Sequence, residues 1–469
     1  MLRQHIRNAA FNVSIHDISI LRKINWATAA DDRADCAKKT TSLNSCDNFI
    51  RTFYPFESGF VLCGTHGLHP TCAEFLYNAE GVQRTFAGNG LAPFAQDIKA
   101  PFVYAANFLY TANAPHYSSP EPLILRKDTL RAGTNDILRT DRGERQFEGA
   151  QFVGLIENGH EILSFFSEPP SESEGCGLRR VARVGRVCRS DPGGQGKHQN
   201  EWTSFVKARL DCYIEEKDQD TLYFNQLASI CPSTRSFFGA FRSQLAGLGA
   251  SAVCMYSRAT ISRQMGAVFN NSRISTCPRA IGTYEHIFIR SNPLIQKRMN
   301  AAPIFVHYGQ DRFQFILVQE DVIDLFGRRN TVLFIATDQG RVFKVVQNEE
   351  QTTASHVATF QVVQLQPSSP IQSISLHSEQ LPNQQLATSL LVLTNNKIIR
   401  LPSSTCAHIF SCSQCLSLGD PECAWINHGA ECVVISQNLH RRQYLNQELR
   451  NCPEIPVTTE RPIVQSKET

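Results

Sequence analysis

Four side chains able to bind a metal recur at every third position in Cys63-Gly-Thr-His66-Gly-Leu-His69-Pro-Thr-Cys72. Thiolate and imidazole are the usual zinc donors. The stretch therefore reads either as a metal site or as a disulfide between Cys63 and Cys72 carrying two loop histidines. Cys412-Ser-Gln-Cys415 offers half of a second zinc site. Pairing is the better reading there, because six cysteines lie between Cys406 and Cys452 and no matching Cys-x-x-Cys follows. Arg179, Arg180, Arg183, Arg186 and Arg189 form a basic run with enough charge to attract heparan sulfate. Val181, Val184 and Val187 interrupt it, and acids nearly balance bases at a net charge of +3, so a solvated strand face is expected.

No catalytic pattern stands out. The chain has no G-x-S-x-G, H-E-x-x-H, phosphate-binding loop or dinucleotide fingerprint, and we read it as no enzyme, with no cofactor and no metal. The balanced charge gives no support for a nucleic-acid partner. Sixteen cysteines and two glycosylation sequons, at Asn12 and Asn270, point to an oxidising, extracellular setting. The first residues have no apolar leader, and no apolar run reaches the ~18–20 residues that span a bilayer. An extracellular protein is then expected to be represented here by a fragment or a shortened gene model, with any leader and membrane anchor outside it.

The elements that must hold these residues are strands. Phe102–Thr111, Phe152–Phe166, Val332–Val346 and Leu390–Leu401 each read as an apolar strand, a turn of Asn, Asp or Gly, and a second strand. Neighbouring copies begin about 50–60 residues apart, the order expected of four-stranded propeller blades with long loops. Thr221–Ala228 is read as a short helix. From Trp202 to Cys212, Trp202, Ser204, Val206, Ala208, Leu210 and Cys212 alternate with Thr203, Phe205, Lys207, Arg209 and Asp211, which predicts a strand with one buried face. A cysteine-rich module spans 405–453, too small for a core of its own without disulfides or a metal. Residues 454–469 are Pro- and Thr-rich and read as a linker.

Several stretches together resemble the semaphorin family. Cys406-x5-Cys412-x2-Cys415-x7-Cys423-x-Trp425, with Asp420-Pro421, looks like the plexin–semaphorin–integrin module. Cys188-Arg-Ser-Asp191-Pro-Gly193-Gly194 followed by Trp202–Cys212 resembles a semaphorin signature stretch. Arg7–Ser14, Cys63-Gly-Thr, Leu138–Asp141, Gly249–Tyr256 and Ala336–Val345 agree with it. The resemblance covers roughly residues 6–453. It implies an all-β chain: a seven-bladed β-propeller (sema domain) over 1–404, the small disulfide-rich module over 405–453, and a tail over 454–469. It implies the disulfides Cys36–Cys46, Cys63–Cys72, Cys188–Cys277 and Cys212–Cys254. In the module it implies Cys406–Cys423, Cys415–Cys432 and Cys412–Cys452. That favours the disulfide over the zinc reading at Cys63 and Cys72. Cys176 and Cys231 are left over, and we expect them to bond to each other.

The chain departs from the family in three places. The strand that would close the ring before Leu2 is missing, 268–277 is short where the family carries an extrusion used in dimerisation, and Gly185 is expected to mark a bulge. By resemblance the function is that of an extracellular ligand, secreted or membrane-attached, which binds a plexin receptor ectodomain, supports homodimers and guides axons and migrating cells. The alternatives are a plexin-class receptor ectodomain, against which Gly193-Gly194 and the Trp202–Cys212 strand argue, and a non-functional fragment. No receptor-contact residue is assigned.

Overall fold

The computed structural model describes residues 7–115, 121–128, 137–141, 146–171, 179–215, 221–244, 249–266, 277, 289–348, 351–362, 370–380, 386–394, 397–407, 409–426, 430–452 and 463–465. These fall into two compact units, one built mainly from 1–211 and 257–300, the other mainly from 212–256 and 301–469. Among the described residues seven sheets, antiparallel but for one added strand, follow one another in sequence, and a small eighth belongs to the cysteine-rich module.

The first unit holds four sheets. Ala9–Val13 pairs with Ile20–Asn25 in the first. Ile50–Phe56, Gly59–Gly64, Thr71–Leu76 and Arg84–Ala87 make the second. Phe102–Ala105, Phe108–Asn113, Leu123–Asp128 and Ile137–Arg139 make the third. The fourth runs through Gln151–Asn158, Glu161–Glu168, Val181–Cys188 and Val206–Ile214. Consecutive sheets share apolar layers. Ala10, Ile24 and Trp26 pack with Phe60, Leu62 and Phe75, and Tyr110 and Ile124 pack with Phe152, Phe166, Trp202 and Phe205.

In the second unit the fifth sheet contains Gln226–Pro232, Ser236–Arg242, Ala250–Ser257 and Pro303–Tyr308. The sixth contains Phe313–Ile323, Arg329–Thr337, Arg341–Asn348 and Ser355–Gln361, with Ile463–Gln465 added in parallel to the last. The seventh contains Ser373–Gln380, Leu386–Leu393 and Ile398–Pro402. The near-continuous apolar run of Arg329–Thr337 has a simple cause. Side chains of a strand alternate between faces, and here both faces are covered. Leu333 and Ile335 enter the layer shared with Phe238, Val253 and Phe313, whereas Val332, Phe334 and Ala336 enter the layer shared with Leu390, Val392 and the module.

Two local readings are corrected. Thr221–Ala228 is extended, contributing Leu222–Tyr223 and the start of Gln226–Pro232. Its pattern is too short to separate a helical period from a strand period. Gly185 forms no bulge, since Ser164 and Lys207 flank it in unbroken register. What it supplies is space: a Cβ there would lie 2.5 Å from Ser164 Oγ and 3.2 Å from the Phe205 ring.

Candidate functional site

Asp191 organises the stretch between Cys188 and Cys212. Its carboxylate accepts hydrogen bonds from Gly193 N, Thr203 N and Oγ1, and Ser204 N and Oγ, at 2.6–2.9 Å. The Asp-Pro-Gly-Gly turn and the bend before Val206 are thereby bound to one buried group. Gly193 takes φ 87°, and a Cβ would press 2.3 Å from the Gln199 carbonyl. Trp202 precedes the strand. It donates to the Ile124 carbonyl at 3.0 Å and stacks on Tyr110.

Beyond that bend the expected solvent face is absent: Thr203, Phe205, Lys207, Arg209 and Asp211 are all buried. The charges survive because they are paired. Lys207 donates to Glu168 Oε1 at 2.6 Å and to the Gln146 carbonyl at 2.8 Å, and Arg183 Nε donates to the same oxygen at 3.0 Å. Arg209 pairs with Asp211 at 2.7 Å. The basic run is therefore split: Arg183 and Arg186 are interior, whereas Arg179 is exposed and Arg180 and Arg189 are half-buried. Arg183 and Arg186 have no exposed surface. Burial lowers the Arg186 guanidinium below its ordinary value, opposed by the Glu161 and Asp191 carboxylates.

Cys63 and Cys72 face each other across two paired strands and are joined. The histidines between them are not simple loop residues. His66, Gly67 and Leu68 all adopt left-handed backbone, with φ of 41°, 70° and 66°, a conformation costing non-glycine residues roughly 1–2 kcal/mol each. The turn sets both imidazoles against Asp32, in the first turn of the helix Ala30–Lys39. His66 Nδ1 and His69 Nδ1 each lie 3.2 Å from one of its carboxylate oxygens.

The other bonded cysteines are Cys36–Cys46, Cys188–Cys277 and Cys212–Cys254, and in the module Cys406–Cys423, Cys412–Cys452 and Cys415–Cys432. The expected Cys176–Cys231 bond is absent. Cys231 is a free thiol, packed against the layer of the fifth and sixth sheets, and burial pushes it up to about 11. Cys176 lies outside the described residues, as do Asn270 and the short segment before Cys277. Asn12 is exposed on the first strand.

The module is fixed to the sixth sheet by Lys344. Its ammonium is fully buried and donates to both oxygens of Asp420 at 2.7–2.8 Å, to Glu422 at 2.7 Å and to the Ser403 carbonyl at 2.8 Å. Burial alone would depress this amine, but the two carboxylates outweigh it and hold it above the ordinary lysine value. Gln447 bridges the hairpin at Leu325 N to the Pro421 and Cys423 carbonyls. Within the module, Cys412, Cys415, Trp425 and Leu418 complete an apolar layer with Val346, Val357 and Leu401. Lys344 was not singled out from the sequence, and Asp191 stood out only as part of the Asp-Pro-Gly-Gly turn. A lone lysine in an apolar strand, Val342-Phe-Lys344-Val-Val, was the available signal.

Among the described residues, the buried carboxylates Glu168, Asp191 and Asp420 are thus engaged in holding the fold, and no helix is long and apolar enough to cross a membrane. Residues 217–378 match the Sema domain family model, and 405–453 match the plexin repeat model. Semaphorin-1A of Schistocerca americana is 28% identical over 92% of this chain and 63% of its own length, so the chain spans less than two thirds of that relative. A chain of the solved structure of Drosophila Plexin A in complex with Semaphorin 1b superposes with a TM-score of 0.82 at 25% identity, covering 95% of this chain and 92% of that one. Plexin A4 shares the fold alone, with a TM-score of 0.64 at 13% identity over 95% of this chain and 53% of its own. A match to the Sema domain model followed by one to the plexin repeat model, in a chain alike to semaphorins over nine tenths of its length, makes this chain similar to the semaphorin family.

Proposed function

We propose that this chain is the recognition region of an extracellular semaphorin that binds a plexin ectodomain and so guides axons or migrating cells. The observation that carries this reading is its likeness, over 95% of its length, to a chain of the Plexin A–Semaphorin 1b complex. Recognition proceeds by surface complementarity, without catalysis, and a few anchor residues carry most of the binding energy. Residues 1–404 supply the surface, and 405–453 form a rigid spacer docked by Lys344. Seven disulfides among the described cysteines support an oxidising, extracellular setting. The receptor reading is disfavoured by the weaker likeness to Plexin A4.

The test is a pull-down of plexin A ectodomain by the secreted, oxidised chain. Saturable capture that is lost on prior reduction is the expected result. A chain with its disulfides intact by mass spectrometry, yet retained by no plexin, would sink the proposal.

A further inference from the structure

The outer edge of the sixth sheet is occupied by a part of the chain whose composition reads as a linker. Ile463–Gln465 runs parallel to Ser355–Gln361, with Ile463 opposite Thr359, Val464 opposite Phe360 and Gln465 opposite Gln361. An uncovered edge strand presents a row of N–H and C=O groups with which another strand can pair. The direction of those groups follows from the ladder. Val362 N donates inward to the Gly340 carbonyl, and successive residues of a strand point their amides alternately to either side. Phe360, opposite Val342, therefore points inward as well, and Thr359 and Gln361 point toward the tail. In a parallel ladder Val464 then spans both, its N–H toward the Thr359 carbonyl and its C=O toward the Gln361 N–H.

We propose that the outer edge of Ser355–Gln361 is a docking site for an extended peptide, and that the chain's own Ile463–Gln465 is its occupant, a strap that withholds the edge from strands of other molecules. The sequence of the tail suits this role. Ile463 and Val464 are β-branched, which favours extended backbone. Pro462 precedes them and Lys467 follows, and these residue types keep a new edge from recruiting a further strand. The tether suits it as well. Cys452 is bonded to Cys412 and packs against the apolar layer that the sixth sheet and the module share, and Lys344 with Asp420 holds the module on that same sheet. The tail thus starts beside the sheet to which it returns, and the ten residues 453–462 reach up to about 36 Å when extended. Three paired residues gain little more than the entropy lost in ordering them. A free peptide of this sequence is then a weak ligand, whereas the tethered one meets the edge at an effective concentration of about millimolar. The strap is closed by its tether and open to competition.

The experiment compares the full secreted chain with its Val464→Pro variant by amide hydrogen exchange, read by mass spectrometry with residue-level fragmentation. Proline removes the Val464 N–H from the ladder. The Gln361 amide should exchange at least about threefold faster in the variant, while the Val362 amide, which bonds inward, keeps its rate. A synthetic peptide of residues 461–466, added at about millimolar concentration, should restore slow exchange at Gln361 in the variant. Equal Gln361 rates in the two chains, a parallel acceleration at Val362, or no protection by the peptide would each overturn the assignment.

Discussion

The fourth sheet and the junction of the sixth sheet with the small module each bury a lysine, and they satisfy it differently. Lys207 meets one carboxylate, Glu168, which also holds Arg183. All three sit on adjacent strands of a single sheet, in register. Lys344 meets two carboxylates, Asp420 and Glu422, which lie 76 and 78 residues further along the chain in another domain. The first network is local and redundant, because either cation can lose its bond and leave Glu168 partnered. The second has a single cation at its centre. Charge buried in the sheet makes that sheet specific, while charge buried at the junction fixes where a second domain docks.

The largest effect should therefore come from Lys344→Met. It strands the Asp420 carboxylate in the interior, at a cost of about 3–5 kcal/mol, read from the denaturation midpoint of the oxidised protein. A cost below that of the corresponding change in the fourth sheet would break the comparison. Lys207→Met should cost less, about 1.5–3 kcal/mol, since Arg183 still compensates Glu168. A double-mutant cycle between Lys207 and Arg183 sharpens the point. The pair of substitutions should cost more than the sum of the two, because only together do they leave Glu168 alone.

The smallest effect is that of pH. The Lys344 amine is raised above its ordinary value of 10.5 in the folded chain. Its stabilisation is then complete below that value and is lost as pH rises through the higher folded value. Wild type should show this alkaline loss and Lys344→Met should not. Parallel alkaline profiles would mean that Lys344 does not titrate in the junction.

The sequence pattern reveals some of this and conceals the rest for definite reasons. The hairpins around Asn107, Gly159 and Gly340 were legible, because an apolar run, a turn residue and a second run leave few alternatives. The alternation from Trp202 to Cys212 was legible as a strand, but period-2 patterning does not distinguish a charged face in water from one facing opposite charges. Arg183 and Arg186 were misread for that reason. Lys344 and Asp420 were invisible as a pair because nothing local connects them. The histidines at 66 and 69 were conspicuous, yet their partner Asp32 lies in a polar helix with nothing to mark it. The cysteine pairs, too, were suggested by a family likeness and not by spacing.

The bond between Cys212 and Cys254 has a practical consequence. It links residues 42 positions apart, and the turn at Thr234 and Arg235 between them is exposed. A chain cut once between them stays in one piece until it is reduced. Such a processed form would migrate as an intact chain on a non-reducing gel and separate into two bands with reductant, so an apparently uncut preparation is no guarantee of an unbroken backbone.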